Sequence, residues 1–134
     1  MNILLYTFRT FPLSILSKYG LEETFRFGKL HEDLLKFEDI ITCKKPEAIV
    51  GFSLGQSSRQ ELTALNRFNN GCIDKNGKSE INLLQLDSSP FKNSTSPTHT
   101  FCNWTMYKLA QNHSTSFFHL GEKDFDKFAS WISS

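Results

Sequence analysis

Residues 31–52 read HEDLLKFEDIITCKKPEAIVGF, and this stretch decides the fold class. Leu34, Leu35, Phe37, Ile40 and Ile41 recur at helical spacing, and Lys44-Lys45 followed by Pro46 gives the C-terminal signal of a helix over 31–45. Ala48-Ile49-Val50-Gly51-Phe52 follows at once as a continuous apolar run, which is how a strand buried on both faces reads. A helix passing directly into such a strand is the signature of a parallel α/β sheet.

Working outward, residues 2–7 form a second apolar run, ended by Arg9-Thr10 and Pro12, and suit a buried strand feeding a loop. Residues 13–19 can make a short helix stopped at Gly20. Downstream, 61–68 and 81–86 are strand candidates that flank the turn-rich stretch from Asn69-Asn70-Gly71 to Gly77 and can pair as a hairpin. Residues 88–98 are polar with Pro90 and Pro97, a loop leading to a helix from Pro97 or Thr98 to Gln111. Residues 116–120 read as a last strand, and Phe125, Phe128, Ala129 and Ile132 mark the apolar face of a closing helix.

The chain has 134 residues and no internal repeat, which fits one domain over 1–134 with one moderate core. Its 15 Lys and Arg against 14 Asp and Glu give a net charge of +1, so no global field favours nucleic acid or an anionic membrane. No run approaches the roughly 20 apolar residues of a membrane span, and no cationic region precedes Ile3-Leu4-Leu5-Tyr6. The expectation is a cytoplasmic protein. Cys43, Cys72 and Cys102 have neither disulfide nor zinc spacing and read as free thiols. Gly51-Phe52-Ser53-Leu54-Gly55 lacks both the Gly-Lys-Ser/Thr and the Gly-x-Gly-x-x-Gly pattern of a phosphate loop.

The stretch Thr100-Phe101-Cys102-Asn103-Trp104-Thr105-Met106-Tyr107 resembles the segment around the nucleophile of the pyroglutamyl peptidases (pyrrolidone-carboxylate peptidases). There an apolar residue precedes Cys-Asn, and an aromatic, a variable pair and Tyr follow. Asn112-His113-Ser114-Thr115 and Phe117-Phe118-His119 are similar to that family's His-Ser turn and the strand ending in its catalytic histidine. Upstream, Lys45-Pro46-Glu47-Ala48 resembles its Lys-Pro-Asp strand start, and Glu61-Leu62-Thr63-Ala64-Leu65-Asn66 its Glu-Arg-Ile-Ala-Val-Asn. Thr7-Phe8-Arg9-Thr10-Phe11-Pro12 resembles the loop whose two phenylalanines wall the pyroglutamyl pocket, and Phe27-Gly28-Lys29 a turn before the second helix. The matches fall in the family's order.

The resemblance implies a three-layer α/β domain, a mostly parallel twisted sheet with helices on both faces, and a cysteine peptidase that removes N-terminal pyroglutamate from peptides. Cys102 would be the nucleophile, His119 the base and Glu61 the acid that orients it, with Phe8, Phe11 and Phe52 enclosing the ring of a peptide or small-molecule pyroglutamyl substrate. No metal or organic cofactor is implied. Taken alone, Cys102 reads as a core thiol, His119 as a partly buried histidine and Glu61 as a surface carboxylate. His99 and His113 match no site position and read as surface residues. A helix start lowers a thiol pKa; with Thr98 as the cap Cys102 lies in the first turn, and with Ser96 as the cap it lies in the second.

The departures from the family pattern define a rival reading. Gly71 stands where an arginine is usual, with Arg67 the neighbouring cation; Thr98 replaces a glycine, and Pro12 falls where a glycine follows the second pocket aromatic. Between Leu86 and Ser94 the chain passes almost directly where the family has a longer loop and a helix covering one sheet face. The alternative is therefore a catalytically reduced or inactive relative acting as a binding or assembly module. The missing helix also leads us to expect exposed apolar sheet and self-association as a homo-oligomer, most simply a dimer.

Overall fold

The apolar run after the first long helix does become a strand buried on both faces. In chain order the elements are β1 (Ile3–Phe8), α1 (Leu13–Lys18), β2 (Phe25–Phe27), α2 (Leu30–Lys44), β3 (Ala48–Leu54), β4 (Arg59–Gln60), β5 (Thr63–Leu65), β6 (Glu80–Asn82), α3 (Phe101–Ala110), β7 (Thr115–Leu120) and α4 (Phe125–Ile132). The computed structural model describes residues 2–86, 88–95, 97–98 and 100–134.

Five strands form one sheet in the order β2-β1-β3-β7-β4, parallel throughout except where β4 runs against β7. Period-two alternation sends side chains to opposite faces. Tyr6, Ile49 and Phe117 pack with Phe37 and Ile41 of α2 and with Met106 and Leu109 of α3. Val50, Phe52, Phe118 and Leu120 pack on the other face with Leu16 of α1 and with Phe125 and Phe128 of α4. The result is the three-layer α/β architecture, with one apolar cluster on each side of the sheet. Gly51 is required on the first face, since a Cβ there would lie 2.2 Å from the Tyr6 ring.

The chain leaves β1 on one side to make β2 and returns across it to β3. Such a reversal opens a crevice at the carboxyl ends of the two central strands, which is where open α/β sheets bind ligands.

Several expectations are corrected. The strand foreseen over 61–68 is shorter, Thr63–Leu65, and pairs with β6 in a separate two-stranded ribbon, and before it stands β4, which was not foreseen and whose Gln60 pairs with Phe118 in the main sheet. The chain therefore changes sheets at Glu61-Leu62, a break that no apolar period announces. The hairpin partners are present but short. The edge strand β2 was legible only as a turn. Helix α3 begins at Phe101, later than Pro97 or Thr98, with Thr100 extended at the N-cap position; the apolar pattern starts only there. Ser96 and His99, foreseen as a cap and a surface residue, lie outside the described residues.

The sheet face foreseen as bare is covered. Phe91 packs on Phe118 and Phe128, with ring centroids 6.0 and 6.5 Å apart, and Leu86 joins the same cluster. The backbone of this loop also pairs with the sheet edge, Gln60 N donating to Lys92 O and Ser94 N to Gln60 O. Among the described residues the exposed large hydrophobic side chains are Leu13, Leu35, Leu54 and Phe101.

Candidate active site

Three elements deliver the expected triad residues to one place. Cys102 is the second residue of α3, so it sits in the first turn, where backbone N–H groups have no partner within the helix. The following Asn103 fixes that helix end. Its buried side-chain amide accepts from Leu65 N at 2.9 Å and donates to Leu65 O and Arg67 O at 2.8 Å each, extending the β5 edge with a side chain. Thr105 Oγ1 donates to Cys102 O and accepts from the Tyr6 hydroxyl, tying the helix to β1.

His119 lies next to last in β7, in register with Ser53 of β3 on one side and Arg59 of β4 on the other. It faces α3 because it shares the Phe117 side of the strand. Glu61 follows β4 directly, its own N–H donating to Phe117 O. The sheet change at this residue turns its carboxylate toward the imidazole: Glu61 Oε1 is 3.0 Å from His119 Nε2, and both side chains are buried. The two atoms are at ion-pair distance without the alignment of a full hydrogen bond. Arg59 Nε approaches the same carboxylate oxygen at 3.7 Å. The arginine beside the acid is thus Arg59; Arg67, the cation expected to stand in at Gly71, is exposed.

The other imidazole nitrogen meets a residue that the sequence did not single out. Ser53 Oγ lies 3.2 Å from His119 Nδ1, and Cys102 Sγ donates to Ser53 Oγ at 3.6 Å. The order of groups is thiol, hydroxyl, imidazole, carboxylate. Position in the strand register was the only sequence signal for Ser53, and it becomes visible only once β3 and β7 are paired.

Burial pushes the Cys102 thiol above its ordinary pKa, with the Glu61 charge adding to the rise and hydrogen bonds involving the Ser53 and Thr100 hydroxyls opposing it. This direction is opposite to the lowering expected from a helix start, and it follows from a side chain that is only 5% exposed. Cys43 and Cys72, by contrast, are exposed.

A cavity of about 350 Å³ opens above Cys102 and His119, at the carboxyl ends of β1 and β3. Phe8 and Phe11 line it, as do Ser53, Leu54, Thr100 and Phe101. Phe52 is placed elsewhere. It is fully buried on the α1/α4 face against Phe11, Phe125 and Phe128, so it supports Phe11 from behind. The wall that the sequence reading missed is Phe101, 40% exposed, its ring 4.7 Å from that of Phe8. Its signal was the apolar position before Cys102.

The fold is that of the pyroglutamyl peptidases. Pyroglutamyl peptidase I from Bacillus amyloliquefaciens superposes with a TM-score of 0.67 at 14% identity, over 93% of this chain and 83% of that one. The pyrrolidone carboxyl peptidase of Thermus thermophilus gives 0.67 at 16% identity, over 89% and 84%. That of Thermococcus litoralis gives 0.67 at 14%, over 90% and 77%. No protein-family model matches the sequence, and no curated protein matches it. The resemblance first read from Cys102-Asn103 and its neighbours is therefore borne out as a shared fold.

Proposed function

We propose that this chain is a divergent pyroglutamyl peptidase, a cysteine exopeptidase that removes N-terminal pyroglutamate from peptides. The observation behind this reading is the meeting of Cys102, His119 and Glu61, from three separate parts of the sequence, beneath a cavity walled by Phe8, Phe11 and Phe101. A flat lactam ring fits between aromatic walls, and the size matches a small-ligand pocket.

In this mechanism the Cys102 thiolate attacks the pyroglutamyl carbonyl carbon, and the oxyanion is held by the unpaired N–H groups at the start of α3. His119, oriented by Glu61, gives its proton to the departing amine. Water then attacks the thioester, with the imidazole taking a proton, and pyroglutamate leaves as the thiol is restored. Each step uses residues of this chain alone.

A second reading, a binding module that keeps the pocket without turnover, is favoured by the burial of Cys102 and its raised pKa. One experiment separates the two: hydrolysis of a fluorogenic pyroglutamyl amide by wild type and by Cys102→Ala, with calorimetric titration of pyroglutamate into both. Release of the fluorophore by wild type and its loss in Cys102→Ala supports the peptidase. Binding without release by either protein supports the module.

A further inference from the structure

We propose that Ser53 relays the proton between Cys102 and His119, so that the working unit is a tetrad of Cys102, Ser53, His119 and Glu61. The proposal concerns the same site as the peptidase reading and adds a residue that touches the reacting sulfur. Its basis is geometric. Ser53 Oγ accepts from Cys102 Sγ at 3.6 Å and stands 3.2 Å from His119 Nδ1, while the carboxylate takes the opposite ring nitrogen at 3.0 Å.

One protonation pattern satisfies all of these contacts. Neutral His119 carries its proton on Nε2, facing the Glu61 charge, and presents the Nδ1 lone pair to the Ser53 hydroxyl. Ser53 donates to Nδ1 and receives the S–H of Cys102. Activation is then a paired transfer: the S–H bond breaks as a new Oγ–H bond forms, and the original Oγ–H bond breaks as Nδ1–H forms. The hydroxyl ends as it began. The net change is a thiol and an imidazole converted to a thiolate and an imidazolium, with no other reactant needed.

The raised pKa of the buried thiol makes such a path useful, because ionisation must come from a partner inside the site. The titratable and charged groups facing this set are Tyr6 from β1, Arg59 from β4 and Glu61 after it. Tyr6 is fully buried, and its phenol is pushed up by desolvation, so it stays neutral over the working range. Position also favours Ser53 over a chance contact, since its backbone is in direct register with His119 across the β3–β7 pair.

The test is the pH dependence of Cys102 alkylation by iodoacetamide, followed site by site by mass spectrometry, which needs no substrate and so stands apart from the peptidase reading. Wild type is expected to alkylate at pH 7 through the thiolate that forms as the Ser53–His119 path draws off its proton and that the Ser53 hydroxyl stabilises. Ser53→Ala should alkylate at least about tenfold more slowly at pH 7, whereas Ser53→Thr, which restores a hydroxyl, should recover the rate. Should Ser53→Ala not fold, Ser53→Gly carries the same expectation. Alkylation equal to or faster than wild type after loss of the hydroxyl would overturn the relay, the serine then being bystander or obstruction. So would a Cys102→Ala protein that still hydrolyses the pyroglutamyl amide while Ser53→Ala does not, because the serine would then be the nucleophile.

Discussion

His119 Nε2 and Glu61 Oε1 lie 3.0 Å apart, with 7% and 1% of their side chains exposed. In the proposed mechanism a buried carboxylate at this distance would favour the ring orientation with Nδ1 toward the thiol side and would stabilise the imidazolium formed there. Arg59 at 3.7 Å keeps the carboxylate company without displacing the histidine.

Glu61→Gln should therefore keep the fold and lose the chemistry. The amide preserves shape but removes the charge, and comparable changes in catalytic triads lower kcat by about 10³ to 10⁴-fold. Fluorogenic turnover beside a thermal melt checks this. A variant that melts within a few degrees of wild type yet turns over at more than a tenth of its rate would take Glu61 out of the mechanism.

Asn103 makes a separate prediction about stability. Its side chain is fully buried and satisfies one backbone N–H and two carbonyls of the Leu65–Arg67 segment. Asn103→Ala leaves those groups without their side-chain partner, which costs about 1–3 kcal/mol. Urea unfolding should show a lower midpoint with an unchanged slope. Because the ribbon anchored by Asn103 follows directly on Glu61, turnover at low denaturant should fall as well.

The layers of this fold were legible because they rest on local signals. The helical period of Leu34, Phe37 and Ile41 and the unbroken run Ala48-Ile49-Val50 survive without knowledge of neighbours. What failed depended on pairing. The strand read over 61–68 starts at Glu61, but pairing begins only at Thr63, because at Glu61-Leu62 the chain leaves the β7 edge for the β6 ribbon. Phe52 was read as a pocket wall from its place in a motif, yet the alternation of β3 sends it to the opposite face from His119. Ser53, the next residue, has the outlook expected of Phe52. Cys102 was expected to be activated by its position in the first turn; how deeply Phe8, Ser53 and the sheet bury it is a property of packing that spacing along the chain does not contain.

The last prediction turns on Asp33, whose carboxylate accepts from Gly28 N at 2.7 Å and Lys29 N at 2.9 Å and so ties the turn after β2 to the start of α2. The Gly28 N–H, then the Lys29 N–H, with Lys36 and Arg9 as nearby cations, hold this carboxyl below its ordinary value against the opposing effect of burial. Since the folded value is depressed, the contribution to stability is complete above the unfolded carboxylate pKa of about 3.9 and is lost as pH falls through the folded value. Asp33→Asn keeps an acceptor oxygen and removes the charge, so the pair isolates the titration. Urea midpoints should differ by a constant amount from pH 7 to about 5, with wild type the more stable, and the gap should narrow as pH drops below about 4. A gap that stayed constant down to pH 2 would mean that the carboxylate charge contributes nothing there and that the hydrogen bonds alone set the turn.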